Sequence, residues 1–174
     1  MLQKYNTYRV LQEFFDQPRR NFHMREISRA LHLGQPSVIK HLNTLLHENL
    51  IIKEKKGLYP TYKAHQENDY FKLLKKQNII LRITTSGIID YINQKIQPNC
   101  IVLFGSAARG EDIETSDIDI FIQAQEKTLS LEQYEKNLKR KINPFFESNL
   151  KHLNKELLNN LINGQIINGY LKVL

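Results

Sequence analysis

Two aspartates separated by one apolar residue, Asp117 and Asp119, are the residues of this chain best suited to chemistry. They begin the run DIDIFI, in which charged and bulky side chains alternate. Alternate residues of a strand point to the same side, so we expect the two carboxylates side by side while Ile118 and Ile120 pack into a core. Paired carboxylates on a rigid strand favour Mg²⁺ (or Mn²⁺), which binds carboxylates together with substrate phosphates.

A glycine-containing turn precedes this pair. The apolar run IVLF, residues 101–104, leads directly into GSAARG, residues 105–110. Gly105 permits a close approach of the backbone, and Ser106 with the following amides could open a helix whose N-terminus accepts phosphate oxygens. Arg109 could add positive charge toward the same anion. A phosphate-binding turn beside a paired-carboxylate site indicates transfer of a nucleotidyl group.

The spacing of these residues carries a family resemblance. Gly105-Ser106, ten intervening residues and then Asp117-Ile118-Asp119 resemble the signature of the polymerase-beta nucleotidyltransferase superfamily. The stretch FGSAARGEDIETSDIDIFI is similar to the minimal nucleotidyltransferases of prokaryotes. The resemblance implies a mixed β-sheet flanked by helices, and two cations that orient a nucleoside triphosphate and assist the release of pyrophosphate. It implies that Gly105 and Ser106 hold the triphosphate, while Asp117 and Asp119 bind the metals and act in catalysis.

The position of a third carboxylate is where the chain departs from that family. Members that catalyse bring a further acidic residue on a later strand, and the corresponding stretch here is KINPFFE, residues 141–147, with Asn143 at the expected position. An amide can bind a metal but cannot take a proton. Glu147 could substitute in another strand register, because residues 143, 145 and 147 share a face. Pro144 indicates an edge strand or a bulge.

Three functions are therefore compatible with the C-terminal part. The first is a Mg²⁺-dependent nucleotidyltransferase that moves a nucleoside monophosphate, with AMP from ATP favoured, onto a protein or nucleic-acid acceptor. The second is a DNA-binding transcriptional regulator whose degenerate transferase domain survives as a nucleotide-sensing or structural domain and only binds nucleotide or a partner. The third is an antitoxin-type protein that acts with a toxin partner. Asn143 separates the first function from the second.

Charge is distributed unevenly along the chain. Residues 1–66 contain eleven Lys/Arg and five Asp/Glu, so 11 − 5 = +6, whereas residues 67–174 contain fourteen and thirteen, so 14 − 13 = +1. The excess base lies almost entirely in the first third. This asymmetry predicts a basic N-terminal module that binds a polyanion.

The N-terminal third predicts three helices, near residues 3–15, 24–31 and 36–48, followed by a basic β-hairpin. Residues 23–64 resemble the winged helix-turn-helix of small prokaryotic regulators, which implies binding of double-stranded DNA. The residues expected to face outward for major-groove contacts are Ser37, Lys40 and His41. Those expected on the phosphate backbone are Lys53, Lys55 and Lys56. The alternative is a module for dimerisation or protein docking.

The sequence therefore predicts an α+β protein of two domains. Residues 1–66 form the winged helix-turn-helix domain, residues 67–97 connecting helices, and residues 98–174 the minimal nucleotidyltransferase domain, which ends in a helix over 150–162 and a short strand. No apolar run is long enough to span a membrane, and no signal-peptide pattern appears, so a cytoplasmic protein without a membrane partner is expected. A homodimer is expected because winged-helix regulators commonly dimerise.

Overall fold

The computed structural model describes residues 5–55 and 57–171. The chain forms two compact units, and the division falls between Lys72 and Leu73. Each unit contains its own β-sheet, of three strands in the first and four in the second. No helix within the described ranges is long and apolar enough to cross a membrane.

The N-terminal unit combines three helices with a small antiparallel sheet. The helices are α1 (Asn6–Asp16), α2 (Met24–Leu31) and α3 (Gln35–His47), and the strands are β1 (Phe22–His23), β2 (Ile51–Glu54) and β3 (Thr61–Ala64). The strand order is β1-β3-β2, with both pairings antiparallel. Apolar side chains that recur every three or four residues along α1 and α3 fill the core: Val10, Phe14, Val38, Leu42 and Leu45 are at most 1 % exposed.

The C-terminal unit contains helices on both faces of a four-stranded sheet. Its helices are α4 (Asp69–Thr85, which begins in the first unit), α5 (Ile88–Ile96), α6 (Gly105–Arg109), α7 (Glu132–Leu138) and α8 (Lys155–Ile162). Its strands are β4 (Cys100–Phe104), β5 (Ile118–Ile122), β6 (Ile142–Phe146) and β7 (Gln165–Gly169).

The sheet of this unit is mixed, as predicted. Its order is β6-β5-β4-β7, in which β4 is antiparallel to β5 and to β7, whereas β5 is parallel to β6. Strand β6 lies at one edge of the sheet, where Pro144 can be accommodated because an edge strand leaves one row of amides unpaired. The parallel pairing fixes which residues of β6 stand beside which residues of β5.

Alternation along β5 separates the two faces of the sheet. Ile118, Ile120 and Ile122 are buried in a cluster that includes residues of α4, α5 and α7. Phe121 is buried on the opposite face, in a cluster that includes Leu161 of α8. Asp119 shares the face of Phe121, because residues two apart on a strand point the same way. The carboxylate of Asp119 therefore stands at the end of an otherwise apolar strand whose two faces are both packed.

The prediction of one continuous helix over residues 150–162 is wrong. A 3₁₀ turn, Leu150–His152, comes first, and Leu153 is extended with φ −76° and ψ 143°. Asn154 then begins α8, because its side-chain oxygen accepts a hydrogen bond from the amide of Leu157 at 2.8 Å. The capping asparagine thus starts a new helix where the apolar spacing alone indicated continuity.

Candidate nucleotide site and basic groove

The carboxylate of Asp119 lies directly against the backbone of Gly105. Antiparallel pairing of β4 with β5 sets Phe104 opposite Asp119, and Gly105 is the next residue of the chain. Gly105 has φ +71°, and a Cβ atom there would overlap Oδ2 of Asp119 and stand 3.3 Å from its Cγ. Glycine is required at this position because it tolerates positive φ and leaves room for the carboxylate. Gly105 was expected to permit a close approach of the backbone, and the group that approaches it in the structure is the Asp119 carboxylate.

Asn143 contacts the other oxygen of the same carboxylate. The parallel register sets Asn143 of β6 beside Asp119 of β5. The side-chain Nδ2 of Asn143 donates a hydrogen bond to Oδ1 of Asp119 at 2.9 Å. The position predicted for the third carboxylate therefore lies within the site, and an amide occupies it.

Asp117 precedes the strand instead of belonging to it. Strand β5 begins at Ile118, and Asp117 is exposed while Asp119 is half-buried. Ile118 and Ile120 are fully buried, at 0 % and 1 % exposed, as the alternation predicted. The more solvated of the two carboxylates therefore lies on the loop side, and the more constrained one on the sheet.

Glu147 does not reach this site. The register that pairs Asp119 with Asn143 also pairs Ile122 with Phe146, so Glu147 follows the far end of β6. Four residues of strand place it about 13 Å from Asn143 along the chain. There its carboxylate accepts a hydrogen bond from the amide of Asn149 at 2.8 Å and pairs with His152 at 3.5 Å. The Asn149 amide and then His152 hold the pKa of Glu147 below its usual value. The alternative register that would have made it a catalytic residue is not adopted.

The other two residues expected at the triphosphate lie on the short helix α6. Ser106 is half-buried, and its carbonyl oxygen accepts a hydrogen bond from the amide of Glu111 at 3.0 Å. Arg109 is exposed at the end of α6, where Nε donates to Oε2 of Glu111 at 2.7 Å. An ion pair so exposed contributes at most about 1 kcal/mol. Arg109 can therefore exchange Glu111 for another anion at little cost.

Within residues 5–55 and 57–171, no cluster of three or more His, Cys, Asp or Glu side chains is arranged to hold a metal ion. Asp117 and Asp119 are two carboxylates, and the side chain of Asn143, which has an amide oxygen, lies beside Asp119. Oxygen donors of this kind suit Mg²⁺, which typically takes one or two carboxylates and completes its shell with water and substrate phosphates. The donor set therefore fits a cation that arrives with a phosphate ligand.

In the N-terminal unit, the structure differs from the expectation for two of the predicted DNA contacts. Ser37 and His41 are half-buried, not outward-facing. Nδ1 of His41 lies 2.8 Å from Oγ1 of Thr7 on α1, and its Nε2 lies 3.3 Å from Oγ of Ser37. The helical spacing i, i+4 brings Ser37 and His41 together on a side of α3 that α1 covers. Lys40 is exposed, as predicted.

The predicted hairpin residues are placed on and beside a groove. Lys53 and Lys55 are exposed on β2 and just after it, whereas Lys56 lies outside the described residues. Lys53 lines a groove of about 600 Å³ together with Arg25 and Arg29 of α2. The Cζ atom of Arg25 stands 5.3 Å from the centre of the Tyr59 ring, within the range of a cation–π contact. The remaining lining includes Ile39 and Asn43 of α3.

Sequence reasoning did not single out the two arginines of α2. Their spacing, i and i+4, was the available signal, because it places both on one helical face away from the buried Ile27. Only the folded hairpin brings that face beside Lys53.

Residues 86–171 match the family model described as "Polymerase beta, Nucleotidyltransferase". Comparison with curated proteins and comparison with solved structures each found no match. The matched range contains the turn from Gly105, both aspartates and Asn143.

Proposed function

We propose, since residues 86–171 match the polymerase-beta nucleotidyltransferase family model, that this unit binds a nucleoside triphosphate with Mg²⁺ and transfers its nucleoside monophosphate. AMP from ATP is the favoured group, and a protein or nucleic-acid hydroxyl is the acceptor. The observation that carries the proposal is the Asp119 carboxylate held between Gly105 and Asn143. That contact places a fixed anion beside a turn that can receive phosphates.

The roles of the chain's own residues follow from their chemistry. Asp117 and Asp119 would hold the cation, and the backbone at Gly105 and the hydroxyl of Ser106 would receive phosphate oxygens. A divalent cation supplies neutralisation of the charge on the phosphates and on the attacking and leaving oxygens. The acceptor oxygen forms a bond to the α-phosphorus while the bond from that phosphorus to the β-phosphate bridging oxygen breaks, and pyrophosphate leaves.

Asn143 determines where the proton of the acceptor's attacking hydroxyl can go. An amide cannot take the proton of an attacking hydroxyl, so that proton passes to solvent or to a group on the acceptor. A slower chemical step is expected than in a site with three carboxylates, because general base catalysis commonly contributes about 10²- to 10⁴-fold.

Transfer is tested with the four labelled ribonucleoside triphosphates and Mg²⁺, followed by separation of protein, nucleic acid and free nucleotide. The variant Asp117→Asn/Asp119→Asn should abolish labelling, whereas Asp90→Asn, an exposed aspartate of α5, should not. Wild-type protein that neither transfers label nor binds any triphosphate would rule out the proposed activity.

The second candidate is nucleotide binding without transfer, and Asn143 is the observation that favours it. In that case the unit is the nucleotide-sensing part of a DNA-binding regulator, or of an antitoxin-type protein that acts with a toxin partner. Triphosphate binding that disappears in the Asp117→Asn/Asp119→Asn variant, with no label transferred by the wild type, would select this candidate over the first.

For the N-terminal unit we propose a winged helix-turn-helix that binds double-stranded DNA. The +6 charge of residues 1–66 supports this proposal, as does the order of three helices and a β2–β3 hairpin. The groove that joins Arg25 and Arg29 to Lys53 supplies three exposed cations on one concave surface. Cations so grouped suit the regularly spaced phosphates of a duplex.

A salt titration of duplex binding tests this proposal. Arg25→Ala/Arg29→Ala should weaken binding and lower the slope of log K against log salt by about 2, since each lost phosphate contact removes about 0.9. Lys53→Ala/Lys55→Ala should act in the same direction. Arg19→Ala removes an exposed cation of the same unit that does not line the groove, and should leave the slope nearly unchanged. If the slope of log K against log salt were the same in all three variants, the assignment of phosphate contacts to the groove would be wrong.

A further inference from the structure

Three charged side chains, two of them buried and that of Arg140 half-buried, meet at the loop that joins α6 to β5. Asp112, in that loop, is 4 % exposed, and Lys75 of α4 is 3 % exposed. Nζ of Lys75 lies 3.2 Å from Oδ1 of Asp112, and Nη1 of Arg140 lies 2.9 Å from Oδ2. Lys75 also donates a hydrogen bond to the backbone carbonyl of Asp112. One carboxylate is thus enclosed by two cations from separate parts of the unit.

The burial of these charges is expensive and does not by itself stabilise a fold. A buried ion pair often contributes less than well-packed apolar residues of the same volume would. Burial lowers the pKa of Lys75, and the Asp112 carboxylate opposes that shift. A cluster that costs desolvation energy but fixes three segments is better explained by the conformation it selects.

The conformation selected is that of the loop between the two halves of the nucleotide site. Residues 110–117 connect the phosphate-binding turn to Asp117, and among them only Gly110 and Asp112 are buried. Asp112 is therefore the one residue of this loop whose side chain is buried. The remaining side chains of the loop are exposed or half-buried.

Arg140 holds the end of this loop as well as its middle. Besides its contact with Asp112, Nε of Arg140 donates to the backbone carbonyl of Ser116, the residue before Asp117. Ser116 closes a turn with Ile113 through two hydrogen bonds, from the Ile113 amide to Oγ of Ser116 at 2.9 Å and from the Ser116 amide to the Ile113 carbonyl at 3.0 Å. The backbone carbonyl of Lys141, the residue after Arg140, accepts a hydrogen bond from the Ile118 amide at 2.8 Å. One arginine thus connects the peptide beside Asp117 to the chain that enters β6 and Asn143.

We infer that Asp112 and Arg140 are positioning residues that fix Asp117 relative to Asp119 and to the bound nucleotide. This inference rests on the proposed binding of a triphosphate at Asp117 and Asp119. The role assigned to both residues is exerted through the loop 110–117, to which Arg140 is bonded at Asp112 and at Ser116. Without the anchor, the exposed Asp117 would be free to move with its loop.

Arg140→Gln is the most informative variant, because it leaves Lys75 and Asp112 as a neutral pair. A change at Asp112 would instead leave two buried cations facing each other, which is strongly destabilising. The matched control is Arg82→Gln, since Arg82 is also half-buried in this unit and donates to a backbone carbonyl, that of Leu138. Arg140→Lys retains the charge but loses the planar fork, so an intermediate effect is expected.

Two measurements test the inference. Amide hydrogen exchange at Ile113 and Ser116 should accelerate about tenfold or more in Arg140→Gln, the factor expected for loss of a hydrogen bond to a charged group. The affinity for ATP with Mg²⁺ should fall by a similar factor, with exchange in β4 and β5 unchanged. Arg82→Gln should alter neither loop exchange nor affinity.

Unchanged exchange at Ile113 and Ser116 in Arg140→Gln would show that the cluster does not hold the loop, and the inference would be wrong. Faster exchange with unchanged nucleotide affinity would also overturn it, since the loop would then not position the site. If the wild type itself binds no triphosphate, the proposed function is wrong, and so is the inferred role of Asp112 and Arg140 in nucleotide binding. The exchange data would still report whether the loop is anchored. Should Arg140→Gln not fold, Arg140→Lys carries the same comparison.

Discussion

The side-chain amide of Asn143 donates a hydrogen bond to the carboxylate of Asp119, with Nδ2 and Oδ1 2.9 Å apart. The donor stands at the position where the family resemblance predicts a third acidic residue. The bond gives Oδ1 of the Asp119 carboxylate a hydrogen-bond partner on the neighbouring strand. Asn143 thus replaces one carboxylate and also satisfies another.

Asn143→Asp should make the site depend on a cation. Two carboxylates would face each other, and in water-like surroundings unit charges about 4 Å apart repel by about 1 kcal/mol. Thermal unfolding without divalent metal should therefore shift to lower temperature, and Mg²⁺ should restore it because the metal binds the folded state. Label transfer from ATP should increase, since the new carboxylate can accept a proton.

Asn143→Ala is the control for that variant, because it removes the hydrogen bond without adding charge. Its unfolding temperature should respond to Mg²⁺ no more than that of the wild type. An Asn143→Asp protein whose stability ignores Mg²⁺ would show that residue 143 does not share a cation with Asp119.

Gly105→Ala should disable the site by displacing Asp119. The added Cβ would overlap Oδ2 of that carboxylate, and φ of +71° is unfavourable for alanine. Affinity for ATP with Mg²⁺, measured by calorimetric titration, should fall at least tenfold, since loss of one charged ligand contact costs about 1.5–3 kcal/mol.

Gly87→Ala separates the two causes. Gly87 has φ +82° but no atom within 4 Å of an added Cβ, so it carries the backbone strain without the collision. It should lower stability and leave nucleotide affinity intact. A loss of affinity as large as that of Gly105→Ala would assign the effect to strain in the unit as a whole.

The start of α2 should give the N-terminal unit a component of acid sensitivity. The backbone amide of His23 donates to Oε2 of Glu26 at 2.7 Å, and this bond, followed by Arg20, holds the pKa of Glu26 below its ordinary 4.5. A carboxylate with a lowered folded pKa contributes stability that is present above the unfolded pKa and is lost as pH falls through the folded value. The contribution should be about 0.5–1 kcal/mol, as for other helix caps at the surface.

Glu26→Gln should remove that component. The difference in unfolding free energy between wild type and variant, followed by NMR signals of α2 in denaturant, should be largest near neutral pH and shrink below pH 4.5. Glu67→Gln, which changes an exposed carboxylate of the same unit, should show a smaller pH-dependent difference. A gap for Glu26→Gln that stays constant from neutral to acid pH would argue against the role of the His23 amide.

Local patterns predicted the part of the site that lies within one turn and its neighbouring strand. Gly105 and the two aspartates could be found because their spacing is short and their chemistry is distinctive. Whether Asn143 lies beside Asp119 depended on a strand register that only the folded sheet fixes. The same register places Glu147 beyond the other end of β6, away from the site. Strand pairing is set by the packing of both faces, which a short segment does not encode alone.

Long-range contacts explain what the sequence did not reveal. Asp112 and Arg140 are separated by 28 residues, and Lys75 and Asp112 by 37, so no spacing rule connects them. In the N-terminal unit, the pattern of α3 predicted its buried face but not the partner Thr7, which turns His41 inward. Helical periodicity identifies the apolar side of a helix, whereas the sides that flank it depend on the neighbours that pack there.

The contacts of Gly105 and Asn143 with Asp119 also determine when the side-chain entropy of Asp119 is lost. A free aspartate samples several side-chain rotamers, and a ligand that selects one of them must overcome that freedom when it binds. Here backbone on one side and an amide on the other restrict the Asp119 carboxylate as soon as the sheet forms. The ordering is completed during folding, so a cation that came with the phosphates would bind a carboxylate that has already lost its alternative rotamers.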